Sequence, residues 1–130
     1  MQKTEEEYGI SISECMTHLT DQLGNRCNEQ ISFSGELLTN GHQIYLNPMV
    51  FPDETENHFS KASRKFPVEF PYAQTVNVNT ILTLPEGYVV EELPASARGT
   101  MNHNELSYSY IIRQDGNKVT LQYKANINTP

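Results

Sequence analysis

The sequence predicts an antiparallel all-β fold, a β-sandwich or a small barrel of six or seven short strands. Several segments alternate apolar and polar residues, and no window shows apolar residues at helical spacing. Residues that favour turns separate these segments, as is typical of all-β domains. A chain of 130 residues buries about two thirds of the surface of its unfolded form, which is enough for one core without metals or disulfides.

Residues 1–12 are expected to be a linker remnant, and residues 13–130 a single sandwich domain. Thr4-Glu5-Glu6-Glu7 has capping-box spacing, and Gly9 follows it, so at most a short helix is predicted there. This acidic start lacks the basic and apolar parts of a signal peptide. The strand pattern still runs at Pro130. The chain is therefore either intracellular or a segment of a longer exported protein, and the interrupted pattern favours the segment.

The clearest strand pair lies near the C-terminus. Residues 106–113 and 119–127 both alternate apolar and polar side chains. Asp115-Gly116 between them is a strong signal for a two-residue hairpin turn, because both central positions of a type I′ turn need a positive φ. That turn places apolar residues opposite apolar residues. The predicted pairs are Ile112 with Val119, Tyr110 with Leu121, Tyr108 with Tyr123, and Leu106 with Ala125.

Further strands are expected upstream of this hairpin. Residues 76–84 alternate apolar and polar side chains, and Leu84-Pro85-Glu86-Gly87 has the residues of a type I turn. Another strand is predicted over 88–93, where Pro94 ends it. Strands are also predicted over 30–34 and 42–46, and a weaker candidate over 13–19.

Residues 47–71 interrupt the strand pattern with four of the seven prolines and four of the five phenylalanines. A connection of this length without regular structure is unusual in a compact domain and is often functional. One interpretation is a crossover, pinned to the sandwich by its aromatic residues, that covers the edge of a sheet. The other interpretation is a binding surface.

The two cysteines, Cys15 and Cys27, flank residues 21–25, which have turn chemistry. In a hairpin built on that turn they are expected to lie roughly opposite each other. Two alternatives follow: a cross-strand disulfide, or two unpaired, buried thiols. Two cysteines alone are too few for a structural zinc site.

Charge and motif content argue against several function classes. The net charge is -7, the pI is about 5.0, and the sequence has no run of Lys and Arg, which argues against nucleic acid and anionic membranes as partners. No apolar run reaches the length of a membrane helix. The four histidines lack metal-ligand spacing, and the acidic group at residues 53–58 is either a solvated loop or a weak cation site. Neither cysteine lies in a nucleophile motif. No catalytic, cofactor-binding or metal-binding residue is predicted.

Four segments carry a family resemblance: 44–48, 57–59, 64–72 and 84–94. The most specific parts are Arg-x-x-Pro-Val-x-Phe, which begins at Arg64, and Leu-Pro-x-Gly-Tyr-x-Val-Glu-x-Leu-Pro, which begins at Leu84. From about Ser13 to Thr129 the chain resembles the uncharacterised C-terminal domain of bacterial transglutaminase-like proteins. The resemblance implies an immunoglobulin-like sandwich of about seven strands. It also implies a periplasmic or cell-surface location and a last strand beyond Pro130.

In such proteins the catalytic Cys-His-Asp set lies in a preceding transglutaminase/protease-like domain, and no position here matches it. We therefore expect a non-catalytic accessory domain without a cofactor, which packs on or positions that catalytic domain. The alternative is a binding module for a cell-surface glycan or peptide polymer through residues 47–71. A missing last strand also predicts an edge-strand homodimer. The residues expected at an interface or anchoring the loop are Asn57, Phe59, Arg64, Pro67, Phe70 and Tyr72.

Overall fold

The computed structural model describes residues 10–19, 26–35, 39–50, 60–63, 65–67, 69 and 71–128. The regular structure in them is β, apart from one 3₁₀ turn at Asn102–Asn104. All strand pairs are antiparallel. The chain divides into two compact units, Met1–Asn47 and Pro48–Pro130. The strands are β1 (Ile10–Leu19), β2 (Cys27–Gly35), β3 (Thr39–Asn40), β4 (Gln43–Ile44), β5 (Gln74–Thr83), β6 (Ala97–Met101), β7 (Leu106–Asp115) and β8 (Lys118–Ile127).

The predicted all-β fold of about seven antiparallel strands is confirmed. The strands are consistent with a β-sandwich, while an immunoglobulin-like strand order stays a prediction. β1 begins at Ile10, inside the segment 1–12 that was expected to be linker. The helix predicted after Thr4 lies outside the described residues. The strand predicted over 42–46 is present only as the two residues of β4, which pairs with β3.

β1 and β2, in the first unit, form an amphipathic hairpin whose faces are kept in phase by a β-bulge. The register shifts between Ile12 and Glu14, so Ser13 is the extra residue. The Ser13 hydroxyl donates a hydrogen bond to the Ser32 carbonyl at 3.0 Å. Since successive side chains in a strand point to opposite faces, the bulge is what places Ile12 and Cys15 on the same face.

The expectation that Cys15 and Cys27 lie opposite each other is wrong. Cys15 pairs with Ile31, and Cys27 pairs with Leu19. In this part of the ladder, paired residues are equally distant in sequence from position 23, the middle of the predicted turn. The two cysteines are equally distant from position 21 instead, so they cannot pair. Their backbones are therefore roughly 13 Å apart along the strands, too far for a disulfide. Both thiols are free, as one alternative predicted, but Cys15 is only half-buried and Cys27 is exposed.

The second unit contains a four-stranded sheet in the order β5-β8-β7-β6. β8 pairs with β5 and with β7 along its whole length. The alternation seen in the sequence separates the two faces, which we call the apolar face and the polar face. The apolar face carries Gln74, Val76, Val78, Thr80 and Leu82 from β5, Val119, Leu121, Tyr123, Ala125 and Ile127 from β8, Leu106, Tyr108, Tyr110, Ile112 and Gln114 from β7, and Ala97, Gly99 and Met101 from β6.

The core of the second unit lies at one end of the apolar face. Ile112, Val119 and Leu121 are buried there, and Thr80 is buried beside them. Burial of such an aliphatic side chain stabilises a fold by roughly 1.5–3 kcal/mol. The half-buried side chains that pack against this cluster are Met49, Leu84, Val90, Leu93 and Tyr110.

The β7–β8 hairpin exists, but its predicted register is wrong by two residues. Asp115 pairs with Lys118, and Ile112 pairs with Leu121 rather than with Val119. The turn is therefore Gly116-Asn117, with Gly116 at a φ of +58°. Glycine at the first central position is the pattern of a type II′ turn, which also suits a hairpin. A slip of two residues leaves every side chain on its predicted face, so alternation alone does not distinguish the two registers.

The strand predicted over 88–93 is absent: residues 84–96 form an irregular connection between β5 and β6. Leu84, Val90 and Leu93 turn toward the core, whereas Val89 is 84% exposed. The predicted turn is also displaced by one residue. The Tyr88 N–H donates to the Pro85 carbonyl at 3.3 Å, and Gly87 has a φ of +86°, as the third position of a type II turn requires.

Candidate functional site

The predicted binding segment, residues 47–71, is described only in part. Pro67 and the adjacent Tyr72 are exposed. Tyr72 exposes 62% of its surface and Phe66 exposes 81%. The expectation that aromatic residues pin this segment to the sheets is therefore wrong for Phe66. The site residues Asn57, Phe59, Arg64 and Phe70 lie outside the described residues, so their roles stay predictions.

The beginning of the same segment is anchored. Pro48, Met49 and Val50 are half-buried, and Met49 packs against the core of the second unit. Met49 fits the crossover interpretation, since it helps to cover the buried end of the apolar face. Phe66 and Tyr72 fit the other interpretation, since large apolar rings in water favour a partner.

The polar face of the four-stranded sheet brings together cations that are far apart in the sequence. Arg98, Arg113, Lys118 and Lys124 all project from this face and are exposed. Asp115 is the one acidic residue among its strand positions. The group was not predicted from the sequence, because the four cations belong to three different strands. One feature of the sequence does point to the group: each of the four cations occupies a polar position in the alternating pattern of its strand.

Amides and hydroxyls fill most other positions of the polar face. Asn126 links three strands at one end: its Oδ1 accepts a hydrogen bond from the Thr75 hydroxyl at 3.0 Å, and its Nδ2 donates to the Ser107 hydroxyl at 3.0 Å. The next row across the sheet contains Lys124, Ser109 and Arg98. The polar face thus offers hydrogen-bond donors and acceptors beside positive charge.

The Cys15 thiol is held by a carboxylate and is poorly suited to nucleophilic chemistry. Its Sγ donates a hydrogen bond to Glu29 Oε1 at 3.3 Å. This bond, together with partial burial and the negative charge of Glu29, raises the pKa of the Cys15 thiol above its ordinary value. A nucleophilic cysteine needs the opposite shift, toward the thiolate.

The turn between β6 and β7 has an unusual backbone. Asn102, His103 and Asn104 have φ values of +49°, +56° and +77°, in the left-handed region that non-glycine residues seldom adopt. Asn128 fastens this turn to the end of β8: its Nδ2 donates to the Asn104 carbonyl at 2.6 Å, and its backbone N–H donates to the Glu105 carbonyl at 2.8 Å. These bonds explain how the strained turn is held.

The part of the chain that the structure describes contains no group of three or more His, Cys, Asp or Glu side chains that could hold a metal ion. In the same residues, no helix has the length and apolarity of a membrane crossing. No curated protein and no solved structure matches the chain. The DUF3858 domain family, described as a domain of unknown function with a solved structure, matches residues 42–130, which leaves residues 13–41 of the expected resemblance unmatched. Because this match covers more than half of the chain, the protein belongs to the DUF3858 domain family.

Proposed function

We propose that the chain is a non-catalytic accessory domain that packs on a neighbouring transglutaminase/protease-like catalytic domain of an exported bacterial protein. The observation that carries this proposal is the uneven cover of the apolar face. One end is buried, but at the other end Tyr108 is 47% exposed and Met101 is 59% exposed. Exposed apolar sheet surface of this kind favours contact with another protein surface.

The two exposed side chains are neighbours. Met101 pairs with Leu106, and Gly99 pairs with Tyr108, so these four residues form one corner of the apolar face, which we call the β6–β7 corner. Side chains diagonal to each other across two strands are about 7–8 Å apart. The β6–β7 corner is thus a continuous apolar surface, as docking against another domain requires.

A binding measurement tests this function. We expect the chain to associate with the catalytic domain encoded beside it, measured by isothermal titration calorimetry. Met101→Gln together with Tyr108→Ser is expected to weaken that association about tenfold or more, since central apolar anchors dominate interface energies. Val89→Ser, at an apolar position that is more exposed to water than Met101 or Tyr108, serves as the control. No association of the unmodified chain, or equal effects of both variants, would contradict the proposal.

A second candidate function, recognition of a cell-surface glycan or peptide polymer, is favoured by the exposed rings of Phe66 and Tyr72. Aromatic rings in water are common contacts for such ligands because they bury large apolar area. A glycan array and a peptidoglycan pull-down test it. Phe66→Ala is expected to abolish retention, while Tyr45→Ala, which removes an exposed ring outside the segment, is expected to preserve it. If neither the arrayed glycans nor peptidoglycan retain the chain, this second function is excluded.

An edge-strand homodimer is a further proposal about partners. β5 and β6 are the outer strands of the four-stranded sheet, and β5 is ten residues long. Among the described strands, β5 pairs with β8 alone. Long outer strands recruit strands from other chains. Light scattering at high protein concentration is expected to detect dimers, and a monodisperse monomer would argue against them.

A further inference from the structure

We propose that the polar face of the four-stranded sheet binds a linear acidic polysaccharide, a sugar chain that carries carboxylates. This proposal is independent of the accessory role, which uses the apolar face. It rests on the charge of the polar face, on the spacing of its cations and on the chemistry of the side chains between them.

The charge of the polar face is opposite to that of the chain as a whole. Its strand positions carry four cations and one carboxylate, a local net charge of +3, whereas the whole chain carries -7. At physiological ionic strength charges are screened over about 8 Å. A ligand that lies on this face therefore interacts mainly with the nearby cations, and the acidic residues elsewhere affect it less.

The cations are spread out rather than gathered around one point. Arg98 and Lys124 lie in the same row across the sheet, on either side of Ser109, so their backbones are about 10 Å apart. Arg113 lies four residues further along β7 than Ser109, a rise of about 14 Å. Lys118 lies beyond it, opposite Asp115. A small anion reaches one or two of these groups, whereas an extended polymer with repeated charges reaches several.

The side chains between and beside the cations favour a sugar over a protein. Thr120 and Gln122 lie between Lys118 and Lys124 on β8, and Asn77 and Asn79 lie beside them on the outer strand β5. Their amide and hydroxyl groups can donate to and accept from sugar hydroxyls. None of the polar-face positions in the four described strands is aromatic. Protein interfaces depend on buried aromatic anchors, so this face is a poorer match for an acidic protein surface than for a polyhydroxylated chain.

The test uses the whole chain and three defined polymers: polygalacturonate, neutral dextran and poly-glutamate. We expect the chain to bind polygalacturonate in calorimetry at low salt, to bind it more weakly at high salt, and not to bind dextran. Arg98→Gln with Lys124→Gln is expected to weaken binding about fivefold or more. Lys3→Gln with Arg26→Gln is the matched control, because it removes the same charge from residues outside these strands and outside residues 47–71.

Each remaining outcome overturns the proposal. Absence of polygalacturonate binding at low salt would show that the polar face is not a polyanion site. Equal loss in the variant and in the matched control would show that only overall charge matters. Tighter binding of poly-glutamate would assign the face to acidic peptides instead. Arg98, Lys124 and Arg26 are exposed, and circular dichroism verifies that both double variants keep the β fold.

Discussion

Replacement of Gly116 tests the register of the β7–β8 hairpin. Gly116 has a φ of +58°, and a Cβ added there would meet no heavy atom within 4 Å. The cost of Gly116→Ala is therefore conformational only. A left-handed conformation costs an L-residue roughly 1–2 kcal/mol. Alanine also lowers the conformational entropy of the unfolded chain, which offsets about 0.4–1 kcal/mol of this cost. We expect a net loss of about 1 kcal/mol, and a smaller loss for Gly116→Asn, since asparagine tolerates this region.

The neighbouring position distinguishes the two registers. In the observed register Asp115 is a strand residue opposite Lys118, so Asp115→Thr loses at most a cross-strand charge pair of roughly 0.2–1 kcal/mol and gains a good strand former. In the register predicted from the sequence, the same threonine would need a positive φ, which is a strong outlier for a β-branched residue. Urea unfolding followed by circular dichroism measures both variants. A larger loss for Asp115→Thr than for Gly116→Ala would refute the Gly116-Asn117 turn.

Three other substitutions test packing and electrostatics. Leu121→Ala, at the most buried core position, is expected to lower the free energy of unfolding by about 2–5 kcal/mol in urea melts; a loss below about 1 kcal/mol would contradict the core assignment. Gly99→Ala would place its Cβ 2.5 Å from Tyr108 Cε1, so the Tyr108 ring, which is 47% exposed, must move; we expect destabilisation by about 0.5–1.5 kcal/mol, relieved when Tyr108→Ser is combined with it. Glu29→Ala removes the acceptor that raises the pKa of Cys15, so iodoacetamide is expected to label Cys15 faster at mildly alkaline pH. The pKa of Cys15 is higher in the folded protein than in the unfolded chain. The Cys15–Glu29 hydrogen bond therefore stabilises the fold below the ordinary thiol pKa, and this stabilisation is lost as pH rises through the raised pKa. An unchanged labelling rate in Glu29→Ala would show that Glu29 does not raise the pKa of Cys15.

The faces of the strands could be predicted from the sequence, but the pairing between strands could not. Side-chain alternation has a period of two, so it shows which side of β8 carries Leu121 and which carries Lys124. It cannot distinguish registers that differ by two residues. That choice depends on whether Asp115-Gly116 or Gly116-Asn117 occupies the turn, and both dipeptides form hairpins.

The irregular connection over residues 84–96 could not be predicted from the sequence either. Tyr88-Val89-Val90 has the composition of a strand, yet in the structure it belongs to an irregular connection, with Val90 packed against the core and Val89 exposed. Strand propensity describes a side chain that suits a half-buried surface, and packing on the core satisfies it without a partner strand. The group of cations on the polar face could not be predicted either, because Arg98 and Lys124 lie in the same row only once β6, β7 and β8 have paired.

The central place of β8 has a consequence for synthesis of the protein. β5 and β7 are not neighbours in the sheet, and both hydrogen-bond to β8, which is translated last of the four strands. Until Lys118–Ile127 leaves the ribosome, β5 lacks the strand it pairs with, and the side chains that later pack around Leu121 stay exposed to water. Completion of the sheet therefore awaits synthesis of the last of its four strands, and such distant pairings are slow to form. The apolar residues of β5, β6 and β7 thus lack their final partner until β8 emerges, an interval in which chaperones have access to them.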